Sequence, residues 1–478
     1  MRIPEDPFFS PRKVSFQTKH PLLFFILFPA ITMMLGWGLR SFIGGGPYGA
    51  MIPGALVMIA ICLLLDIPAS LAAIAIVFGT VGTAMGDAMT YSQTIGFLRK
   101  PNGVLWGFFG TSLKGGIWGL LSGLFIGLGL VYQRLKFKTI VIGFVVFIIA
   151  FVIGLKLIND PKVIYFSDPF NKPRSEFWAG FLFGAAGLLI YLKTKLNAED
   201  WKVILRFVVY GALGGLLGFG LGSLWIAFGF RYGAAFIITD WWKVMEFSFG
   251  FILGAFLGFA AWKNQNVDVR SYRKKEIKIN YSFSIEVIAF ILIGFFVFAT
   301  LELFNTYLNL VKKNDGMLYG IIGTPGRVII NYAFIGCLLI IIALRWPFLS
   351  YQLAISLTFV HSMIDLIIDD GLFHKLQSLP LAIMAILLAA GLLIGILVAI
   401  FQRKPFVLKS MFLLLLWSAI IVAMVRMIAG GTFDFNPAHS FAHIVFGDLF
   451  VFDVFIISAI IISLLVIRTN RPAAITEI

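Results

Sequence analysis

The chain has 478 residues, of which 60% are hydrophobic and only 13% charged, against about 25% charged in an ordinary soluble domain. No water-soluble fold hides that much apolar surface, so a cytosolic enzyme, a disordered chain and a collagen-like fibre are all excluded. The formal charge of +15, from 38 Lys+Arg against 23 Asp+Glu, then reads as membrane topology, with no nucleic-acid partner expected.

A helix crossing ~30 Å of hydrocarbon needs about 20 apolar residues. Cut at Pro, Gly and charge clusters, the sequence offers fourteen such runs: 21–41, 48–66, 68–87, 104–132, 138–158, 176–193, 203–230, 241–262, 283–311, 326–345, 347–369, 379–401, 406–428 and 439–467. Backbone groups in lipid must be hydrogen-bonded internally, so the expected fold is all-α and polytopic. The first run is too long for a signal-peptide core and reads as the first spanning helix. Cys62 and Cys337 lie inside apolar runs and read as small buried hydrophobes.

Fourteen spans put both termini on one side. That side holds 23 of the 38 basic residues, the opposite side holds 14, and Lys114 falls within a span. The positive-inside rule therefore predicts cytoplasmic termini and an integral protein of the plasma (inner) membrane. The predicted organisation is a cytoplasmic segment 1–20, an eight-helix unit 21–262, a basic cytoplasmic linker 263–282, a six-helix unit 283–468 and a cytoplasmic tail 469–478. Glycine marks the seam, because residues 1–262 hold 36 of the 48 glycines.

The eight-helix unit reads as a parallel repeat of four plus four spans, about 21–135 and 138–262. Gly79, Gly82 and Gly86 match Gly211, Gly214 and Gly218. Trp106, Gly115, Gly119 and Gly123 match Trp241, Gly250, Gly254 and Gly258. Gly46 and Pro53 fall opposite Gly180 and Gly187. Glycines four apart share one helix face and let backbones approach closely.

Polar residues gather on the predicted outer side. Asp87, Asp240, Asp315, Asp434, Arg99, Arg231, Arg327 and Arg426 all fall there, with Gly-Gly-Gly-Pro-Tyr-Gly at 44–49. Thr324-Pro325, Asn436-Pro437 and Asp240 are expected to start helices. Helix N-termini with Arg99, Arg231, Arg327 and Arg426 suit an anionic substrate, with Asp87 and Asp240 beside them. Alternatively, these arginines pair with the neighbouring aspartates or snorkel to headgroups. Trp106, Trp241 and Trp242 read as interfacial anchors.

His361 and Asp365 are four apart on the eleventh span, and His439 and His443 are four apart at the start of the fourteenth. That step places two side chains on one helix face, the spacing used by helical metal sites. With Asp369 and Asp370 nearby, His361, His439, His443 and an Asp form a candidate zinc site that activates water. The alternative is a set of hydrogen-bonded polar residues closing the C-terminal bundle. No other cofactor is expected. The late His-xxx-His with an upstream His and Asp resembles the alkaline ceramidase and adiponectin-receptor group of membrane hydrolases. Leu357 stands where that group has serine and the two His helices are three spans apart, so no fold or role is carried over.

Lys114, about ten residues into the fourth span, is costly unless paired. Glu246 is the expected partner and Glu302 the second choice, as a structural lock or a coupling switch. Two functional classes follow. One is a transporter or flippase for an anionic or lipid-linked solute, without a P-loop or other nucleotide motif. The other is a membrane-embedded transferase or hydrolase working at the outer leaflet through His361, Asp365, Asp369, Asp370, His439 and His443. A membrane scaffold for a partner complex is a third reading.

Overall fold

The computed structural model describes residues 20–168, 173–238, 240–266, 282–369 and 380–469. Among them there is no strand. Twelve helices are long and apolar enough to cross a membrane, thirteen when a bent pair is counted as one span. The chain is a multi-pass integral membrane protein. The linker and the two terminal segments fall largely or wholly outside the described residues.

The helices, in order, are α1 Leu22–Ile43, α2 Met51–Leu64, α3 Ala69–Asp87, the short α4 Ser92–Phe97, α5 Val104–Val131, α6 Phe137–Gly154, α7 Trp178–Lys193, α8 Ala198–Tyr232 and α9 Trp241–Lys263. Then follow α10 Phe283–Asn314, α11 Gly316–Ile329, α12 Tyr332–Arg345, α13 Leu357–Ile364, α14 Pro380–Phe401, α15 Val407–Ala429 and α16 Phe450–Arg468. The side on which α1 ends is called distal here, and the side on which it begins proximal.

Two starts differ from expectation. Pro325 lies inside α11, which is capped by Asp315 accepting from Leu318 N at 2.9 Å. The expected single span 326–345 is instead α11 plus α12, bent by 47°, and Asn331 caps α12 by accepting from Ala333 N. Near residue 437 the helical turn begins at Phe441, with Ser440 accepting from His443 N. An aspartate or serine side chain supplies the acceptor that the first-turn amides need, which the Pro signal alone does not. Asp240 caps α9 as expected, accepting from Lys243 N at 2.9 Å.

Glycine sets the close crossings. A Cβ on Gly119 would collide with Gly211 O, one on Gly115 with Gly215 O and one on Gly123 with Phe207 O, so α5 and α8 touch backbone to backbone. The second row, Gly250, Gly254 and Gly258, meets Met33, Pro29 and Phe25 of α1. Gly82 and Gly214 play like parts, each facing a Phe of the following long helix, Phe125 and Phe256. In lipid, where hydrophobic drive between helices is absent, this dispersion contact is what binds them. At Gly46, with φ +73°, a side chain would strain the backbone. That turn folds the chain from α1 back into α2.

The crossing gives a graded test. Gly119→Ala pushes a methyl into the Gly211 carbonyl and is expected to destabilise by roughly 1–3 kcal/mol. Gly116→Ala meets nothing closer than Leu216 Cβ at 3.4 Å and is expected to be neutral or slightly stabilising, since Ala is the better helix former. Thermal unfolding in detergent compares the two, and equal losses would contradict the packing described.

Candidate functional site

Three consecutive residues at the distal end of α1 organise the polar layer. Arg40, 7% exposed, forms an ion pair with buried Asp87 at the end of α3, and its Nε lies 3.2 Å from the carboxylate. The Tyr91 ring lies 5.7 Å from the same guanidinium. Ser41 hydrogen-bonds to Lys243 and Glu246 of α9. Lys243 Nζ lies 3.0 Å from Glu246 Oε2 and donates to Gly38 O at 3.2 Å. Trp242 Nε1 donates to the other Glu246 oxygen at 2.7 Å. Phe42 presents its ring to two cations, Arg426 at 5.1 Å and Lys243 at 5.4 Å.

Lys114 is almost fully buried, but its partner is not Glu246. Its Nζ donates to Glu176 Oε1 at 3.0 Å, to Thr94 Oγ1 at 2.8 Å and to Thr90 O. Glu176 also accepts from Ser167 Oγ at 2.9 Å and Phe166 N at 3.2 Å. The segment between α6 and α7 thus folds inward to carry an acid to the lysine. Glu246 is already matched by Lys243 one turn away, which leaves it no reason to reach α5. The Glu302 side chain lies outside the described residues.

The four predicted arginines separate. Arg426 pairs with Asp365 at 3.2 Å. Arg327 pairs with Asp160 at 3.2 Å, and Lys156 joins the same carboxylate at 3.0 Å. Arg99 and Arg231 are exposed on the surface. Partial burial works to raise the Asp160 carboxyl. The hydrogen bonds from Arg327 and Lys156 outweigh it and hold the group below the ordinary carboxylate range.

The histidines do not converge as one set. His361 Nε2 lies 3.2 Å from Gly45 O, and its ring stacks on Phe298 of α10 and tilts against Tyr48. His439 and His443 instead close with Asp448, their ligand atoms all within 4.8 Å of one another. His361 is not in that group. Asp370 and the Asp369 side chain lie outside the described residues.

Beside His361 runs an apolar groove of about 400 Å³ between α10, α13 and α14, lined by Phe290, Gly294, Phe298, Val360, Leu388 and Gly391, among others. Phe295, Met384 and Leu388 are 65%, 59% and 50% exposed, so it opens sideways toward lipid. The lining residues are all apolar, and polar clusters lie on the same helices beyond the two ends. At the proximal end Glu286, fully buried, accepts from Gln352 Nε2 at 2.7 Å and Arg403 at 2.8 Å, and from Gln402. Distally stand His361, Tyr48 and Tyr332. The hydroxyls of Tyr48 and Tyr332 are buried without a hydrogen-bond partner among the described residues.

Sequence reading missed Arg40, Glu176, Lys243, Glu286, Gln352 and Arg403. Arg40 had a signal, a charge still inside the first apolar run. Lys243 and Glu246 had another, opposite charges three apart on a helix. Glu176 had none, since it is 62 residues from Lys114. Comparison with protein-family models, curated proteins and solved structures finds no match.

Two consequences are measurable. Lys114→Met leaves Glu176 buried and unpaired, and is expected to cost about 3–5 kcal/mol. Lys114→Met with Glu176→Gln is expected to recover part of that loss in thermal unfolding, whereas combining Lys114→Met with Glu246→Gln should not. Asp160 stabilises the fold while ionised, because its folded pKa lies below the unfolded one. Its contribution is complete above the unfolded value and is lost as pH falls through the folded one. The stability gap between wild type and Asp160→Asn should therefore close as pH falls below the ordinary carboxylate range.

Proposed function

We propose that this chain is a transporter or flippase for a lipid-linked or other amphiphilic substrate with a polar, anionic-type headgroup. One observation carries the reading: an apolar groove open to the bilayer, with polar clusters at both ends. From Glu286 to Phe298 there are twelve residues of α10, about 18 Å at 1.5 Å per residue. That length suits an acyl or isoprenoid segment lying along the helix. The headgroup then meets His361, Tyr48 and Tyr332 at one end, or Gln352, Arg403 and Gln402 around Glu286 at the other.

The ion pairs favour the lipid branch over a free anion. Arg327 and Arg426 are neutralised by Asp160 and Asp365, so they offer little unopposed positive charge. Ligand sites are mostly apolar with a few placed polar groups; here the lining is wholly apolar and the polar groups stand beyond its ends. On the orientation expected from the positive-inside rule, the distal end faces away from the cytoplasm.

Gly294 is the place to test it, because a Cβ there meets nothing closer than Phe290 at 4.0 Å. Gly294→Trp is expected to fill the groove while leaving the fold intact. In proteoliposomes containing phosphatidylglycerol with a fluorescent headgroup, wild type should speed exchange between leaflets, measured by an impermeant quencher. The variant should slow it about tenfold, the effect of a ~1.4 kcal/mol steric penalty. Wild type indistinguishable from empty vesicles, or a fully active Gly294→Trp, would sink the reading. Cleavage of the probe without movement would point to the enzyme class.

A further inference from the structure

The last distal connection holds a second constellation, separate from the groove. His439 lies in the turn before Ser440, not on the helix, so the four-residue spacing to His443 does not by itself align the two rings. They meet nonetheless, with centroids 3.8 Å apart. The third member arrives through a π-helical turn, Ile444–Asp448. In a regular α-helix Asp448, five residues beyond His443, would point about 140° away from it. The i→i+5 bonding of a π turn makes five residues close to one full turn. The bond from Leu449 N to Ile444 O, 2.9 Å, is of this kind. Asp448 is thereby brought back over the histidines, with Oδ2 2.8 Å from His439 Nδ1.

We infer that His439, His443 and Asp448 form a binding site for a divalent cation of the zinc class. Two imidazoles and one carboxylate are a donor set that such ions take, at about 2.0–2.2 Å per ligand. The three ligand atoms already lie within 4.8 Å of one another, so small side-chain rotations bring them onto one ion. The cation takes the position of the proton between His439 Nδ1 and Asp448 Oδ2, and that proton moves to Nε2 of the same ring or is released to water. The His439 and Asp448 side chains are 28% and 24% exposed, so an ion reaches the site from solution and its remaining coordination position takes water. Binding would tie the turn before Ser440 to the start of α16. The site uses neither His361 nor any residue of the groove, so it stands or falls apart from the proposed transport.

The full-length protein, stripped with EDTA in detergent, is titrated with Zn²⁺ by calorimetry and with Co²⁺ by visible absorption. One equivalent of saturable binding is expected, with a Co²⁺ spectrum of nitrogen and oxygen ligation. His443→Gln and the isosteric Asp448→Asn should each weaken binding by at least about tenfold, and His361→Gln should leave it unchanged. Gel filtration checks folding, and Asp448→Asn decides the matter if His443→Gln does not fold. No saturable binding, binding indifferent to Asp448→Asn, or binding lost equally in His361→Gln overturns the site.

Discussion

A charge taken into a low-dielectric interior must be met there by its opposite, and the distal half of this bundle is arranged around that requirement. Among the described residues, four ion pairs there have both side chains less than a quarter exposed: Arg40–Asp87, Lys243–Glu246, Lys114–Glu176 and Arg426–Asp365. The end of α1 joins three of them through Arg40, Ser41 and Phe42. Removing one partner of such a pair costs more than the pair itself contributes, because the survivor stays buried and uncompensated. The pairs therefore act mainly as constraints, fixing how α3, α9 and α15 meet α1.

Close packing beneath the polar layer makes the constraint effective. Trp37, Trp118, Phe219 and Phe249 form an aromatic floor, with ring centroids 4.6 to 6.2 Å apart. Trp118 occupies the space that a side chain on Gly86 would need, and its Nε1 donates to Thr83 O at 2.7 Å. Gly38 gives way in the same manner to Phe247 and Phe455. With the aromatic rings excluding water from below, the ion pairs interact in a medium where they are strong. The glycines thus serve two ends, backbone contact between helices and room for the rings that seal the charges.

Much of the architecture was legible because it follows from composition and period. Apolar runs of spanning length produced helices, and glycines four apart in 115–123 and 250–258 produced close crossings. Which helix each row would meet was not legible, since α8 and α1 are equally apolar partners. Pairing of charges was readable only where both members lie within a turn, as with Lys243 and Glu246. Lys114 found Glu176 because the segment after α6 folds back, and no local pattern encodes that path. Glu246 was the reasonable but mistaken partner for the same reason: depth in the membrane limits the choices and tertiary structure makes the selection. The histidine spacing failed differently. A four-residue step presumes regular helix, whereas His439 precedes its helix and a π turn follows His443.

Irregular winding recurs where the polar chemistry lies. π-helical turns carry Asn159, whose Oδ1 accepts from Gly180 N, and Gln352, Asp365 and Asp448. Such turns are uncommon and gather at functional positions, because they aim one side chain off the regular helical face. Here two of them bracket α13, so one element sends Gln352 to Glu286 at the proximal end of the groove and carries His361 to Gly45 at the distal end. A site serving one leaflet needs polar contacts at one end only. Under the proposed transport, an element that supplies them at both, with an apolar wall between, suits a substrate whose head meets both sides of the membrane while its tail stays in lipid.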